Sequence, residues 1–208
     1  MKKDFIFAAA TAALLTLVGC NGTGTATNVG YSGRFIDSPV DGVTYTCGKV
    51  EKKTHDGGLF GPCPYDSNTK FSLGKLSLGE ISPEAAEKNG YNVFIKDIVV
   101  KEEDAHKAAM LLLSFNQNSS DDSIALPENI DEIIDKMDLG SGNEELDLSK
   151  IETDKLQEAI VHVSDNFALN VKMKPVSIND VIAHLEESEA RLETLTPIKQ
   201  IGAQTGAE

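Results

Sequence analysis

Gly33-Arg34-Phe35-Ile36-Asp37-Ser38-Pro39-Val40-Asp41-Gly42-Val43-Thr44-Tyr45-Thr46-Cys47 is the stretch on which the fold class turns. Phe35 precedes a turn-forming Asp-Ser-Pro, and Val43, Tyr45 and Cys47 then alternate with threonines. Farther on, Phe71-Ser72-Leu73 and Leu76-Ser77-Leu78 repeat the alternation. Period two in short runs, cut by glycine and proline, predicts strands with one buried face. Such strands must pair, so residues 31–81 are expected to form a small antiparallel β module, a sheet or half-sandwich.

After Ile81 the period lengthens to that of helices. Ser82-Pro83-Glu84 reads as a helix start, with proline at the first position and Asn89-Gly90 at the end. A second helix is expected from Glu103 to Phe115, with Ala105, Ala108, Ala109, Leu112 and Leu113 inward. Pro127 to Met137 places Ile130, Ile133, Ile134 and Met137 on one face. Thr153 to Phe167 does the same with Leu156, Ala159, Ile160 and Val163, with Thr153 as its cap. A last helix starts at Ser177 and turns Ile178, Val181, Ile182 and Leu185 inward, with Leu192 and Leu195 continuing the stripe. The expected class is therefore α+β: the β module, then a helical subdomain of about four helices over 82–196, then a loose tail over 197–208. Each apolar stripe is read as core, and the whole as one compact unit or two tightly apposed subdomains.

Charge divides along the same line. The net charge is −14. The first twenty residues carry +1 (Lys2 and Lys3 against Asp4), and residues 21–80 balance six basic against six acidic side chains. The remaining −15 therefore falls on residues 81–208, making the helical part acidic. Such a surface repels nucleic acid and anionic headgroups. Nucleic acid is accordingly excluded as a partner, and a cationic partner would meet the C-terminal half.

Upstream of the strands, Lys2 and Lys3 precede an apolar run from Phe5 to Val18 and then Leu17-Val18-Gly19-Cys20. This is the order of a secretory signal, over 1–19. A cysteine directly after Leu-Val-Gly resembles the lipobox of bacterial lipoproteins, whose thiol takes a diacylglycerol before cleavage. Cys20 is thus the expected lipidation site and its covalent lipid the membrane attachment, with no other cofactor. A membrane span is the rival reading, but the run falls short of the ~20 apolar residues a bilayer requires. Residues 20–30 hold the lipidated cysteine and a Gly- and Thr-rich flexible tether. Asn21, standing where an aspartate would resemble an inner-membrane retention signal, favours the outer membrane; which face is left open.

With Cys20 acylated, the remaining cysteines, Cys47 and Cys63, form a pair in a compartment that permits disulfides, and a bond between them is expected. A metal site would need four ligands, and His55 alone beside two cysteines does not supply them.

Three elements quoted from this chain resemble a group of Gram-negative surface lipoproteins and exported proteins. The first is the opening stretch from Gly33 to Cys47, matching G-x-F-x-D-S-x-V-x-G-x-x-Y-x-C. The second is Thr54-His55-Asp56-Gly57-Gly58-Leu59-Phe60, and the third Phe71-Ser72-Leu73-Gly74-Lys75-Leu76-Ser77-Leu78-Gly79. Ala109-Met110-Leu111-Leu112-Leu113-Ser114-Phe115-Asn116-Gln117-Asn118 and Val181-Ile182-Ala183-His184-Leu185-Glu186 extend the similarity into the helices. The first segment also resembles the unit of prealbumin-like carrier and adhesin domains. The group is adhesin-like and largely uncharacterised, so the resemblance implies a non-catalytic surface or periplasmic interaction domain. A calcium- or small-ligand-binding envelope protein, or a periplasmic assembly or transport accessory, are the alternatives.

Individual side chains carry little chemistry on sequence grounds. Asp37, Asp41 and Asp56 stand in predicted turns, where aspartate bonds nearby backbone and glycine supplies positive φ. Tyr45 and Phe60 are read, with Asp37, as maintaining the fold. Asn116, Asn118, Ser120, Asp121 and Asp122 form a weak calcium candidate, with asparagines where a calcium loop has charged ligands and without the glycine of its sharp turn. His106, His162 and His184 edge the apolar stripes and are expected to be partly buried and hydrogen-bonded. No Gly-x-Ser-x-Gly elbow, phosphate loop or His-Glu-x-x-His occurs, so no catalytic residues and no enzyme activity are expected.

Overall fold

The alternation between Thr44 and Ile81 supplies four strands of a five-stranded sheet in the computed structural model, which describes residues 30–118, 123–140, 145–166, 173–192 and 197–198. Strands β1 (Gly30–Ile36) and β2 (Val40–Asp41) precede β3 (Thr44–Cys47), β4 (Val50–Lys53), β5 (Leu59–Pro64), β6 (Thr69–Leu73) and β7 (Leu76–Ile81). β3 pairs antiparallel with both β4 and β6, and β6 with β7. Tyr45, Cys47, Phe71, Leu73, Leu76 and Leu78 are the buried face, as period two requires. β4 is the edge strand, and its exposed Glu51 and Lys52 blunt it against pairing with another chain.

A second sheet has β1 at its centre with β5 antiparallel on one side. The buried faces of the two sheets meet through aromatic rings. Phe35 stacks on Phe71 with centroids 4.5 Å apart, and Phe60 meets Phe71 edge-on at 5.3 Å. Offset and edge-on pairs of this kind add to the burial energy of each ring. Phe60 lies over Gly33, where a Cβ would come within 2.4 Å of its ring. Tyr45 and Phe60 thus maintain the fold, Tyr45 also donating its hydroxyl to Gly61 O at 3.0 Å.

Cys47 on β3 and Cys63 on β5 are disulfide-bonded, which ties the two sheets together. The bond closes a sequence separation of 16. Chain-entropy arguments give such a crosslink about 3 kcal/mol. The double variant Cys47→Ala/Cys63→Ala is expected to lose that much in urea unfolding, and reduction of the parent protein should reproduce the loss.

The pairings within residues 30–81 are all antiparallel, as expected, but three short strands beyond residue 81 correct the expectation that 82–196 is helical only. β8 (Asn92–Phe94) pairs parallel with β1, β9 (Ile124–Ala125) parallel with β2, and β10 (Leu146–Asp147) parallel with β7. Strands of two or three residues are too short to display a period, so sequence alternation could not announce them. They join the two halves of the chain: the buried residues from Tyr31 to Val181 form one hydrophobic cluster with no break at Ile81.

Six helices are described. α1 (Pro83–Lys88) is capped by Ser82, whose hydroxyl accepts the Ala85 amide at 3.2 Å. α2 (Ile95–Ile98) is a single turn that periodicity did not reveal. α3 (Glu102–Ser114), α4 (Ile130–Lys136), α5 (Thr153–Asn166) and α6 (Ile178–Leu192) fall within a few residues of the predicted bounds. Thr153 differs from its expected capping role: it lies inside α5, and its hydroxyl donates to Glu103 on α3 at 3.0 Å. Ser177 caps α6 as expected, exchanging hydrogen bonds with Asp180. Leu195 and the segment 1–29, with the lipobox and most of the tether, lie outside the described residues.

Candidate functional site

The end of β1 and the turn after it place Ile36 and Asp37 beneath α2, α3 and α6. Together these elements enclose a pocket of about 330 Å3. Its walls are apolar: Ile36 from β1, Phe94 from β8, Ile95 and Val99 around α2, and Ile182 and Leu185 from α6. Lys96, Lys101, Glu102 and Glu186, all exposed, line it as well, two charges of each sign. A concave, mostly apolar pocket with a few convergent polar groups is where a small-molecule site is first sought.

The polar groups are Asp37, Ser188 and His106 of the lining, with His184 behind them. The Asp37 side chain has no exposure, and neither carboxylate oxygen has a hydrogen-bond partner. Its nearest basic group among the described residues is the His184 imidazole, whose Nε2 lies 3.7 Å from Oδ2. Burial pushes the Asp37 carboxyl up to about 7, because the ionised form is stripped of water. The expected turn role of Asp37 is therefore corrected: its carboxyl bonds no turn amide and lies buried beside the pocket.

Asp41 does behave as turn chemistry. Its Oδ1 accepts the amides of Gly57 and Gly58 at 2.9 and 2.7 Å, fixing a hairpin turn in which both glycines have positive φ. At Gly58 a Cβ would meet Phe35 O at 2.3 Å, so the motif Asp-Gly-Gly answers a close approach of backbone. Asp41→Ala is expected to cost about 2 kcal/mol and Asp41→Asn less, since two charge-assisted bonds are lost in the first and an acceptor survives in the second. Thermal unfolding of the pair measures the difference. Asp56 is exposed at the same turn and meets only its neighbour His55, Oδ2 to Nδ1 at 3.0 Å.

The histidines separate. His184 Nε2 lies 3.3 Å from Ser188 Oγ as well as 3.7 Å from Asp37. An acyl-transfer relay needs the hydroxyl on one imidazole nitrogen and the carboxylate on the other. Here both approach Nε2, so the trio is not disposed as such a relay. His106 lines the pocket, with Nε2 3.9 Å from Glu102. His162 is exposed, contrary to the expectation of partial burial, because it falls on the outer face of α5.

In the candidate calcium loop, Asn116 Oδ1 already accepts two amides, Asn118 N at 2.9 Å and Ala125 N at 3.0 Å, and Asn118 Nδ2 donates to Ser123 Oγ at 2.7 Å. These two side chains hold the turn into β9. Ser120, Asp121 and Asp122 lie outside the described residues. Among the described residues no group of three or more His, Cys, Asp or Glu side chains stands in metal-ligating proximity.

Sequence reading missed the pocket because its parts are scattered over β1, β8, α2, α3 and α6. The one local signal was the spacing His184 to Ser188, i to i+4 on α6, which puts both on one helix face. No family model, curated protein or solved structure matches the chain.

Proposed function

We propose that this protein is a lipid-anchored component of the bacterial cell envelope that acts by binding and not by catalysis. The observation that carries the reading is the ordered N-terminal signal, Lys2-Lys3, the apolar run to Val18 and Leu17-Val18-Gly19-Cys20. Export agrees with a disulfide between the other two cysteines, which an oxidising compartment permits. Acylation of Cys20 and the tether after it would hold the folded part at the outer membrane. The resemblance of its strand elements to adhesin-like lipoproteins supports an interaction role, with the acidic residues of 81–208 as the surface that a cationic partner would meet.

Metabolic labelling with a clickable palmitate analogue tests the anchor. The parent chain should take up label and partition with outer-membrane fractions, and Cys20→Ala should do neither; an unlabelled parent chain would overturn the reading. Protease added to intact cells then separates a surface domain, which is degraded, from a periplasmic accessory, which is spared until the outer membrane is opened.

A second reading, a small-ligand-binding envelope protein, is favoured by one observation: the mostly apolar pocket of about 330 Å3 between β1, α2, α3 and α6.

A further inference from the structure

We propose that the pocket between β1, α2, α3 and α6 holds the single alkyl chain of an amphiphile, whose polar head stays in water at the mouth while the chain sets the affinity. This ligand class rests on the small-ligand reading and not on the lipid anchor, which the labelling experiment tests separately.

Four observations set the chemistry. First, the apolar lining is mainly aliphatic: Ile36, Ile95, Val99, Ile182 and Leu185, with the Phe94 ring beside them. Such walls offer no hydrogen bond, and each methylene moved from water onto them is worth about fourfold in affinity. Lys96 lies over the Phe94 ring, its ammonium 5.8 Å from the centroid, so one face is already covered. A planar ligand therefore gains little by stacking there, whereas an alkyl chain needs no such face. Second, the polar groups of the lining are turned elsewhere. The Asp37 side chain is sealed, Ser188 Oγ faces His184 Nε2 at 3.3 Å, and His106 Nε2 faces Glu102 at 3.9 Å. A polar head drawn inside would lose its water without gaining a partner, so the head remains outside. Third, the volume of about 330 Å3 stands at the lower end of small-molecule sites, which fits one chain. Fourth, Val100 belongs to the same lining and is 100% exposed, which places an apolar side chain at the mouth. A chain leaving the pocket covers it.

The head meets Lys96, Lys101, Glu102 and Glu186, all exposed, two charges of each sign. An exposed ion pair changes affinity by at most about fivefold, and here the signs oppose one another. Recognition therefore lies in the chain and is nearly indifferent to the charge of the head.

The test uses the full-length protein, free of detergent, and 8-fluorooctan-1-ol as probe, whose fluorine marks the buried end of the chain, followed by fluorine NMR line broadening at pH 7.5. In 8-fluorooctanoate and 8-fluorooctylamine the same chain carries heads of opposite charge, 6-fluorohexan-1-ol is two methylenes shorter, and 4-fluorobenzyl alcohol offers a ring instead. The octanol should bind saturably, with both charged analogues within about fivefold of it and the hexanol and the ring alcohol at least tenfold weaker. Ile182→Trp and Val99→Trp fill the space from different walls at half-buried positions, and each should abolish binding with an unchanged circular dichroism spectrum. Two variants are used so that a loss of fold in one leaves the other to decide. Unchanged affinity in a folded variant, or a preference above tenfold for one charged head, would overturn the proposal. Saturable binding of the ring alcohol as tight as that of the octanol would overturn the alkyl chain and leave a small-ligand site. No binding of any probe at millimolar concentration would overturn both.

Discussion

Replacing Lys107 by methionine is expected to destabilise the fold by about 3–5 kcal/mol, the range for removing one partner of a buried ion pair. Lys107 is 2% exposed and Asp104, one turn before it on α3, is 3% exposed. The ammonium lies 2.7 Å from Asp104 Oδ1 and donates to Leu148 O at 3.0 Å and Ile151 O at 2.9 Å. All three of its donors are therefore placed, two of them on the carbonyls of the 3₁₀ turn that follows β10. Methionine fills the same volume but leaves the Asp104 carboxylate and the Ile151 carbonyl without the ammonium's donors, while Leu148 O keeps the Ile151 amide at 3.1 Å. The loss is thus expected from electrostatics and not from a cavity. The double variant Lys107→Met/Asp104→Leu separates the two, since removing both charges should recover most of the loss in urea unfolding. A double variant as unstable as Lys107→Met would mean that the lost carbonyl bonds, and not the stranded carboxylate, set the cost.

That pair also shows where the sequence was informative and where it was silent. Ala108-Ala109-Met110-Leu111-Leu112-Leu113 is apolar around the whole helix, and the structure buries α3 from Asp104 to Leu112 with few exceptions. A helix apolar on all sides lies inside a fold. A lysine and an aspartate three residues apart at the edge of such a run are carried in with it and must satisfy each other, so this pairing was readable in principle. The strands β3, β6 and β7 were legible because their alternation records one buried face, and the helix starts because Ser82 and Ser177 are capping residues. β8, β9 and β10 were not legible, since two or three residues hold no period and their pairing is settled by the packing of the whole chain.

Asp37 was misread for a related reason. In sequence, Asp37-Ser38-Pro39 is a turn, and turn aspartates usually bond the backbone, as Asp41 does in this protein. Only the docking of α6, some 140 residues later in the chain, closes over the carboxyl and removes its water. Local chemistry cannot distinguish two aspartates whose difference is what a distant helix covers.

The same burial predicts how stability follows pH. Asp37 has its carboxyl raised from 3.8 to about 7 in the folded state by desolvation. The folded protein then holds the proton more tightly than the unfolded chain between those values, so the contribution of Asp37 to stability is largest below pH 4, declines as pH rises to 7 and is level above it. At 1.36 kcal/mol per unit, the decline amounts to about 3 kcal/mol between pH 5 and pH 8. Other groups titrate over the same range, so the measurement is a difference. Asp37→Asn keeps the shape without the proton equilibrium, and its stability relative to the parent should improve by about 3 kcal/mol from pH 5 to pH 8. A difference independent of pH would mean that the carboxylate reaches water or a donor in solution.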